Sequence, residues 1–372
     1  MPRASVFAVE DTAAQVCWAG LPAGTTLWAG DAAVEVAVDD EPGAGVIGPL
    51  PPDTRLDLAM QRPGGRARLV TSFSTLAPPP GQLLCRFATV NDIHVGARHF
   101  GILKTITEDP VPDSGPHPVR CLRAALREAV AWGAEAIFAK GDLTHGARAA
   151  QWETVGNLLS GVPVPVAATL GNHDVVRSGV DGRAALAQFG IDIPEEAYCR
   201  DLLGIRVVLA HTAMPGHRRG QVTNRERDQV RELVATAGGP VLVAMHHHPQ
   251  RFRFPLKYPP GIPGEEARPL LDAVAAANPA TMVVTGHSHR NRLNHHGPVP
   301  VAEVGSTLHY PGTWAGYAVH EGGIRQVVRR VAAPDAIAWT ERTRRAVLGV
   351  WGLWAPGRRS ERCFSHTWPR PA

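Results

Sequence analysis

The sequence predicts a mixed α/β chain preceded by a small all-β unit, and three observations carry that expectation. Five short apolar runs, CRFATV, AEAIFA, VPVAATL, PVLVAM and TMVV, recur from Cys85 onward with helix-like stretches between them. Such runs read as buried strands of a sheet covered by helices. Residues 1–76 instead hold short strand-like segments separated by Gly, Pro and Asp turns. Third, each apolar run is followed within three residues by Asp, Asn or His, so polar side chains gather where strands end.

In the first unit the segments SVFAVE, AQVCWAG, TTLWAG, AVEVAV and RARLVTSFST have strand composition, with alternation clearest at Val34, Val36 and Val38. Trp18 is expected between two sheets. The pattern resembles a fibronectin type III or immunoglobulin-like sandwich, with LPPDTRLDL where such modules carry a proline-containing turn, although Leu56 replaces their usual aromatic. Residues 77–81, APPPG, read as a stiff linker because consecutive prolines favour an extended chain. Residues 82–310 form the expected α/β unit, and residues 311–372 the expected closing strands and an Arg-rich tail. Helices are predicted in PHPVRCLRAALREAVAWG, where Leu122, Leu126, Ala129 and Val130 share a face, and in NRERDQVRELVATAGG. AIAWTERTRRAVLGVWG is predicted as an amphipathic helix. The Pro/Gly-rich connections 96–118 and 250–268 are the expected walls of a substrate pocket.

At 372 residues the chain is long enough for two to three units. No apolar stretch approaches the ~20 residues that span a bilayer, and MPRASVFAVEDT lacks the apolar core of a secretory signal. Five scattered cysteines without CxxC spacing fit reduced thiols, so a cytoplasmic location is expected. The net charge of +4 is small. It is uneven, because residues 325–372 hold ten arginines against Asp335, Glu341 and Glu361. A solvated surface is the favoured reading of that excess, over contact with nucleic acid or membrane. The oligomeric state is open.

Five motifs carry the chemistry: Asp92 and His94 in NDIHVG, Asp142 in KGDLTHG, Asn172, His173 and Asp174 in GNHD, His246 in MHHHP, and His287 and His289 in GHSH. Mixed Asp, Asn and His donors suit divalent ions such as Mn, Fe or Zn. Gly141, Gly171 and Gly286 precede ligands and are expected to let the backbone turn out of a strand. The motif set, in this order, resembles the calcineurin-like metallophosphoesterases, whose pattern is DxH, GD, GNH[DE], H and GHxH.

The resemblance implies a four-layer metallophosphoesterase β-sandwich flanked by helices. It implies two divalent metal ions, one held by Asp92, His94, Asp142 and His289, the other by Asp142, Asn172, His246 and His287. A water shared by both ions would ionise near pH ~7 and attack phosphorus as a metal-bridging hydroxide. His173 takes the leaving-group side, with Asp174 its orienting partner or, failing that, a helix cap. In the HHHP triplet His246 is favoured over His247 as ligand, and His248 is expected to shape the turn. His145, His211 and His309 compete weakly, His211 being the strongest candidate for a supporting role.

Departures narrow the subclass. GDLTHG with GNHD differs from the GDxxDRG and GNHE of protein Ser/Thr phosphatases, and the iron-binding Tyr of purple acid phosphatases has no counterpart here. The compact GNHD, HHHP and GHSH set is similar to bacterial cyclic-nucleotide phosphodiesterases of the Icc/CpdA type. The expectation is therefore a metal-dependent phosphodiesterase on a small or nucleotide-like diester, cyclic nucleotides included. The alternatives are a phosphomonoesterase or nuclease with the same metals and, in another class, a non-catalytic scaffold. Phe252, Phe254 and Tyr258, close behind His246, are expected either to stack on a base or to pack their own loop.

Overall fold

A computed structural model describes residues 3–369 apart from 102–103, 109–114 and 257. All five apolar runs are strands: Leu83–Val90, Ile137–Lys140, Val166–Thr169, Val241–Met245 and Thr281–Thr285. They divide between two six-stranded sheets. In the first, Leu83–Val90, Ile137–Lys140 and Val166–Thr169 run parallel, so their C-terminal ends point the same way. In the second, Ile205–Ala210, Val241–Met245, Thr281–Thr285 and Val299–Glu303 do the same.

Strand periodicity shows how the layers form. In the second sheet Val207, Leu209, Leu242, Ala244, Met282 and Val284 belong to the large core shared with the first sheet. Their neighbours Val208, Val243 and Val283 join Val230, Val234, Leu270 and Val274 from the helices Asn224–Ala235 and Gly264–Ala277. A strand alternates its side chains between two faces, so runs apolar at every position have both faces covered. On the other side, the helices His117–Ala131 and Ala149–Ser160 add Leu122, Ala125, Trp152 and Val155 to the large core. The result is helix, sheet, sheet, helix, the four layers that the sequence predicts.

The N-terminal segment forms two antiparallel sheets, one of Arg3–Val9, Ala14–Ala19 and Gly43–Ile47, the other of Thr26–Ala29, Ala32–Glu35, Arg55–Gln61 and Arg68–Ser74. Val16, Trp18, Leu27, Leu58, Met60 and Phe73 pack in one core between them.

Three expectations change. Strands on both sides of residue 310 share the first sheet, because Thr313–His320 pairs with Leu83–Val90 and is followed by Gly323–Arg330 and Cys363–Thr367. The expected 336–352 helix instead runs over Pro334–Thr343. Val347, Leu348 and Gly349 have φ of 52°, 54° and 86°, which a right-handed helix cannot continue. Third, the arginines of 325–372 are not a uniformly solvated tail. Arg325, Arg330 and Arg362 are buried. The Arg330 backbone exchanges two hydrogen bonds with the Gln15 side chain, of 2.7 and 2.8 Å, while its guanidinium donates to the Pro311 carbonyl at 2.9 Å, and Arg362 donates to the Phe7 carbonyl at 2.7 Å. Arg325 and Arg329 both pair with Glu10, which also accepts from the Trp132 indole at 3.0 Å. Charge therefore joins apolar contact, Val327 and Cys363 being part of the N-terminal core, in holding those sheets to the α/β unit.

Among the described residues no helix is long and apolar enough to cross a membrane. Glu10→Ala takes the carboxylate from Arg329 and leaves the buried Arg325 guanidinium with Asp11 alone, at a cost of at most about 3 to 5 kcal/mol. Urea unfolding should show that loss, and a change below about 1 kcal/mol would show that the contact is incidental.

Candidate metal centre

The seven expected ligands converge from both sheets. Asp92, His94, Asp142 and Asn172 follow strands of the first sheet, and His246, His287 and His289 follow strands of the second. Five of them, Asp92, His94, Asp142, His287 and His289, have φ between 51° and 67°. Non-glycine residues avoid that left-handed region, which costs of order 1 to 3 kcal/mol each, and strain of this kind collects at functional sites. The glycines serve a second purpose besides turning. Gly141 is left-handed at 78°, but a Cβ on Gly171 would overlap the Asp142 carboxylate, and one on Gly286 would lie 2.8 Å from Asp92 Oδ2. Close approach of loops is what excludes a side chain there.

Asp142 is central. Its Oδ2 lies 3.6 Å from His94 Nε2 and 3.3 Å from His246 Nε2. Around it, His94 Nε2 is 3.2 Å from His289 Nε2, and His246 Nε2 is 3.2 Å from His287 Nδ1. Asp92 Oδ1 stands 3.4 Å from His289 Nε2. Close donor groups of three form from Asp92, His94 and His289, from Asp92, Asp142 and His246, and from His246, His247 and His287. Asn172 Oδ1 is buried and has no hydrogen-bond partner, an acceptor that a cation would satisfy. Facing imidazole nitrogens, two buried carboxylates and an orphaned amide oxygen fit divalent metal ions.

Supporting bonds fix several of these side chains. His246 Nδ1 donates to the Lys140 carbonyl at 2.9 Å, which leaves Nε2 toward Asp142. In the neighbouring histidine, His247 Nδ1 meets Thr212 Oγ1 at 2.9 Å. His289 Nδ1 lies 3.2 Å from His309 Nδ1, so His309, one of the competing histidines, supports a ligand. His211 bonds Thr169 Oγ1 at 3.0 Å, away from the seven ligands. Burial lowers the His211 pKa to about 4, and burial opposes the charge on His246 while Asp142 outweighs it and raises it to about 9.

Asp174 has another place than the one expected. Its carboxylate accepts from the backbone N–H groups of Leu143, Thr144 and Gly171 at 3.0, 2.8 and 2.9 Å and from Thr144 Oγ1 at 2.9 Å. It neither caps a helix nor meets the His173 ring. Burial, then the Asp142 charge, pushes its pKa up to about 6. The partner of His173 is the carbonyl of His145, 3.0 Å from Nδ1, with the His145 ring stacked at 5.3 Å. A carbonyl only accepts, so Nδ1 carries the proton and Nε2 remains for chemistry.

Lys140 and Asn91 lay outside the expected set. Lys140 is fully buried, donating to Asn91 Oδ1 at 2.8 Å and to the Thr285 carbonyl at 2.9 Å, and burial lowers its pKa to about 7. Asn91 in turn donates to Asp92 Oδ2 at 2.5 Å. A lysine closing an apolar strand one residue before GD was the only sequence signal of this link.

A cavity of about 780 Å³ lies beside His248, and none of the seven expected ligands lines it. Phe252 and Phe254 line it with Arg251, Arg268 and Arg292, whereas Tyr258 bonds Arg218 instead.

Residues 85–291 match the family model described as calcineurin-like phosphoesterase, and the chain belongs to that family. It is a metal-dependent phosphoester hydrolase. A Psychrobacter arcticus protein named "Probable cyclic nucleotide phosphodiesterase" is 22% identical over 241 residues, covering 63% of this chain and 84% of that one. The "Glycerophosphodiester phosphodiesterase GpdQ" of Enterobacter lignolyticus is 23% identical over 177 residues, 47% of this chain and 63% of that one. Among solved structures, a purple acid phosphatase from yellow lupin aligns with a TM-score of 0.47 at 13% identity, covering 89% of this chain and 72% of that one.

Asp174→Ala removes the acceptor for three backbone donors at once. Unpaired buried groups cost about 1 to 3 kcal/mol each, so a drop of several kcal/mol in urea unfolding is expected, without any change in the Nδ1 proton signal of His173. Loss of that signal together with unchanged stability would return Asp174 to the role of orienting His173.

Proposed function

We propose that the chain hydrolyses phosphodiesters at a centre of two divalent ions, Mn, Fe or Zn, joined by Asp142. The observation that carries this reading is the place of Asp142 Oδ2, between His94 of one sheet and His246 of the other. One ion falls to Asp92, His94, Asp142 and His289, and the other to Asp142, Asn172, His246 and His287. Such a pair of ions lowers the pKa of water toward ~7 and neutralises phosphate oxygens. The protein's own part is to hold the ester and to serve the departing oxygen. His173 is assigned to that oxygen, because its Nδ1 is engaged by the His145 carbonyl and a ring nitrogen lies within 4.8 Å of one on His94.

A diester is favoured over a monoester because both relatives named above are phosphodiesterases by name. The cavity beside His248 supports a substrate with a second substituent, since Arg251, Arg268 and Arg292 suit anionic groups and Phe252 and Phe254 offer faces for a base. Cyclic and linear nucleotides are the candidates, and a phosphomonoesterase or nuclease is the alternative. We also read residues 1–76 as a fibronectin III or immunoglobulin-like sandwich joined by the 77–81 linker to a catalytic unit that runs from 82 through the closing strands. A cytoplasmic location remains the working assumption.

The test is a panel of monoesters, linear diesters, cyclic nucleotides and single-stranded DNA. Faster turnover of a diester than of every monoester is expected, and the reverse order would sink the assignment. His173→Ala should keep its metal but lose ~10² to 10⁴-fold in kcat, more for an alkoxide leaving group than for nitrophenolate. Equal losses on both would assign His173 to charge stabilisation rather than to proton donation.

A further inference from the structure

Past the truncated helix Pro334–Thr343 the chain makes a knob with no counterpart elsewhere among the described residues. Val347 and Leu348 are consecutive left-handed non-glycine residues, followed by left-handed Gly349. This backbone turns Leu348 wholly outward, at 103% exposure, and the flanking Val350 and Leu353 are exposed at 56% and 81%. With Val347, exposed at 41%, folding has left four large apolar side chains in water within one short stretch. The local charge is mainly basic: from Arg342 to Ser360 the chain has five arginines and no acidic residue, with Glu341 and Glu361 at either side. Some are engaged, Arg344 with Glu341 at 3.6 Å and Arg342 with the Thr107 carbonyl at 3.0 Å, while Arg345, beside the tip, and Arg358, further along the chain, are exposed. Trp351 and Trp354 stand at its base, Trp354 under the guanidinium of Arg290 at 5.0 Å.

We propose that this knob docks on an anionic lipid surface. Exposed aliphatic side chains on a convex tip, a basic surround and tryptophans at the base are the features of an interfacial anchor, in which the aliphatic groups enter the headgroup boundary and the arginines meet lipid phosphates. A flat or grooved apolar face with charges of both signs would suit a protein partner better. Docking here also sets the metal centre close to the bilayer. The Trp351 ring lies 5.0 Å from that of Phe100 and 6.4 Å from that of His289, so the anchor is built against a ligand of the site.

The experiment is co-sedimentation of the full chain with phosphatidylcholine vesicles containing one quarter phosphatidylglycerol, and with phosphatidylcholine alone. Binding to the anionic vesicles is expected, weakened by salt because arginine contacts are screened. Leu348→Asp with Leu353→Asp should reduce it roughly tenfold or more, while hydrolysis of a soluble aryl diester and the melting temperature stay at wild-type values. The substituted side chains are exposed, so the variant tests the surface rather than the fold. Absence of wild-type binding to anionic vesicles, or equal binding by the variant, overturns the proposal. So does a concentration-dependent dimer that the same substitutions abolish, since a second copy would then be the occupant. Because the diester assay is soluble, its outcome judges the catalytic reading separately.

Discussion

The constraint on which the rest depends is the burial of like charge at the seam of the two sheets. Asp92, Asp142 and Asp174 all lie there with almost no exposure. Buried carboxylates persist only where positive charge or donors compensate them. Three kinds of compensation are visible: backbone donors for Asp174, imidazoles for Asp92 and Asp142, and the Lys140 ammonium behind Asn91. Lys140 belongs to the first sheet and bonds Thr285 of the second, so the same charge that balances the site also pins the two layers in register.

This demand explains why the strand ends are strained. The expected ligands face the seam from residues just past the strands, where the backbone turns sharply, with left-handed φ at five of the seven. The hydrophobic layers supply the stability to hold it. Strands apolar on both faces bury Val207, Leu242 and Val284 against the first sheet and Val208, Val243 and Val283 under helices. The chain therefore keeps its irregular backbone where its core is most continuous.

Much of this was legible in the sequence, for a physical reason. The five apolar runs mark strands because both faces are buried, and the Asp, Asn and His residues behind them mark the site because parallel strands end together. Other features depended on contacts between distant segments. The helix Gly264–Ala277 carries Pro269 inside it, and its first residues, 264–268, read as part of the 250–268 connection. Glu10 gave no sign that it would meet Arg325 and Arg329, more than three hundred residues away, so the arginines read as a solvated tail. Asp174 follows His173 in sequence, yet the turn sends its carboxylate back to Leu143 and Thr144 while the His145 carbonyl takes the ring. Adjacency in the chain could not reveal which of two loops a side chain would serve.

The central claim is that one carboxylate, Asp142, joins two metal positions supplied by two sheets. Elemental analysis of purified protein reconstituted with Mn tests it most directly, comparing wild type with Asp142→Asn and His289→Ala. The account predicts two ions per chain in the wild type, one in His289→Ala, and loss of both from Asp142→Asn. Equal single-ion loss in the two variants, or one ion in the wild type, would contradict it.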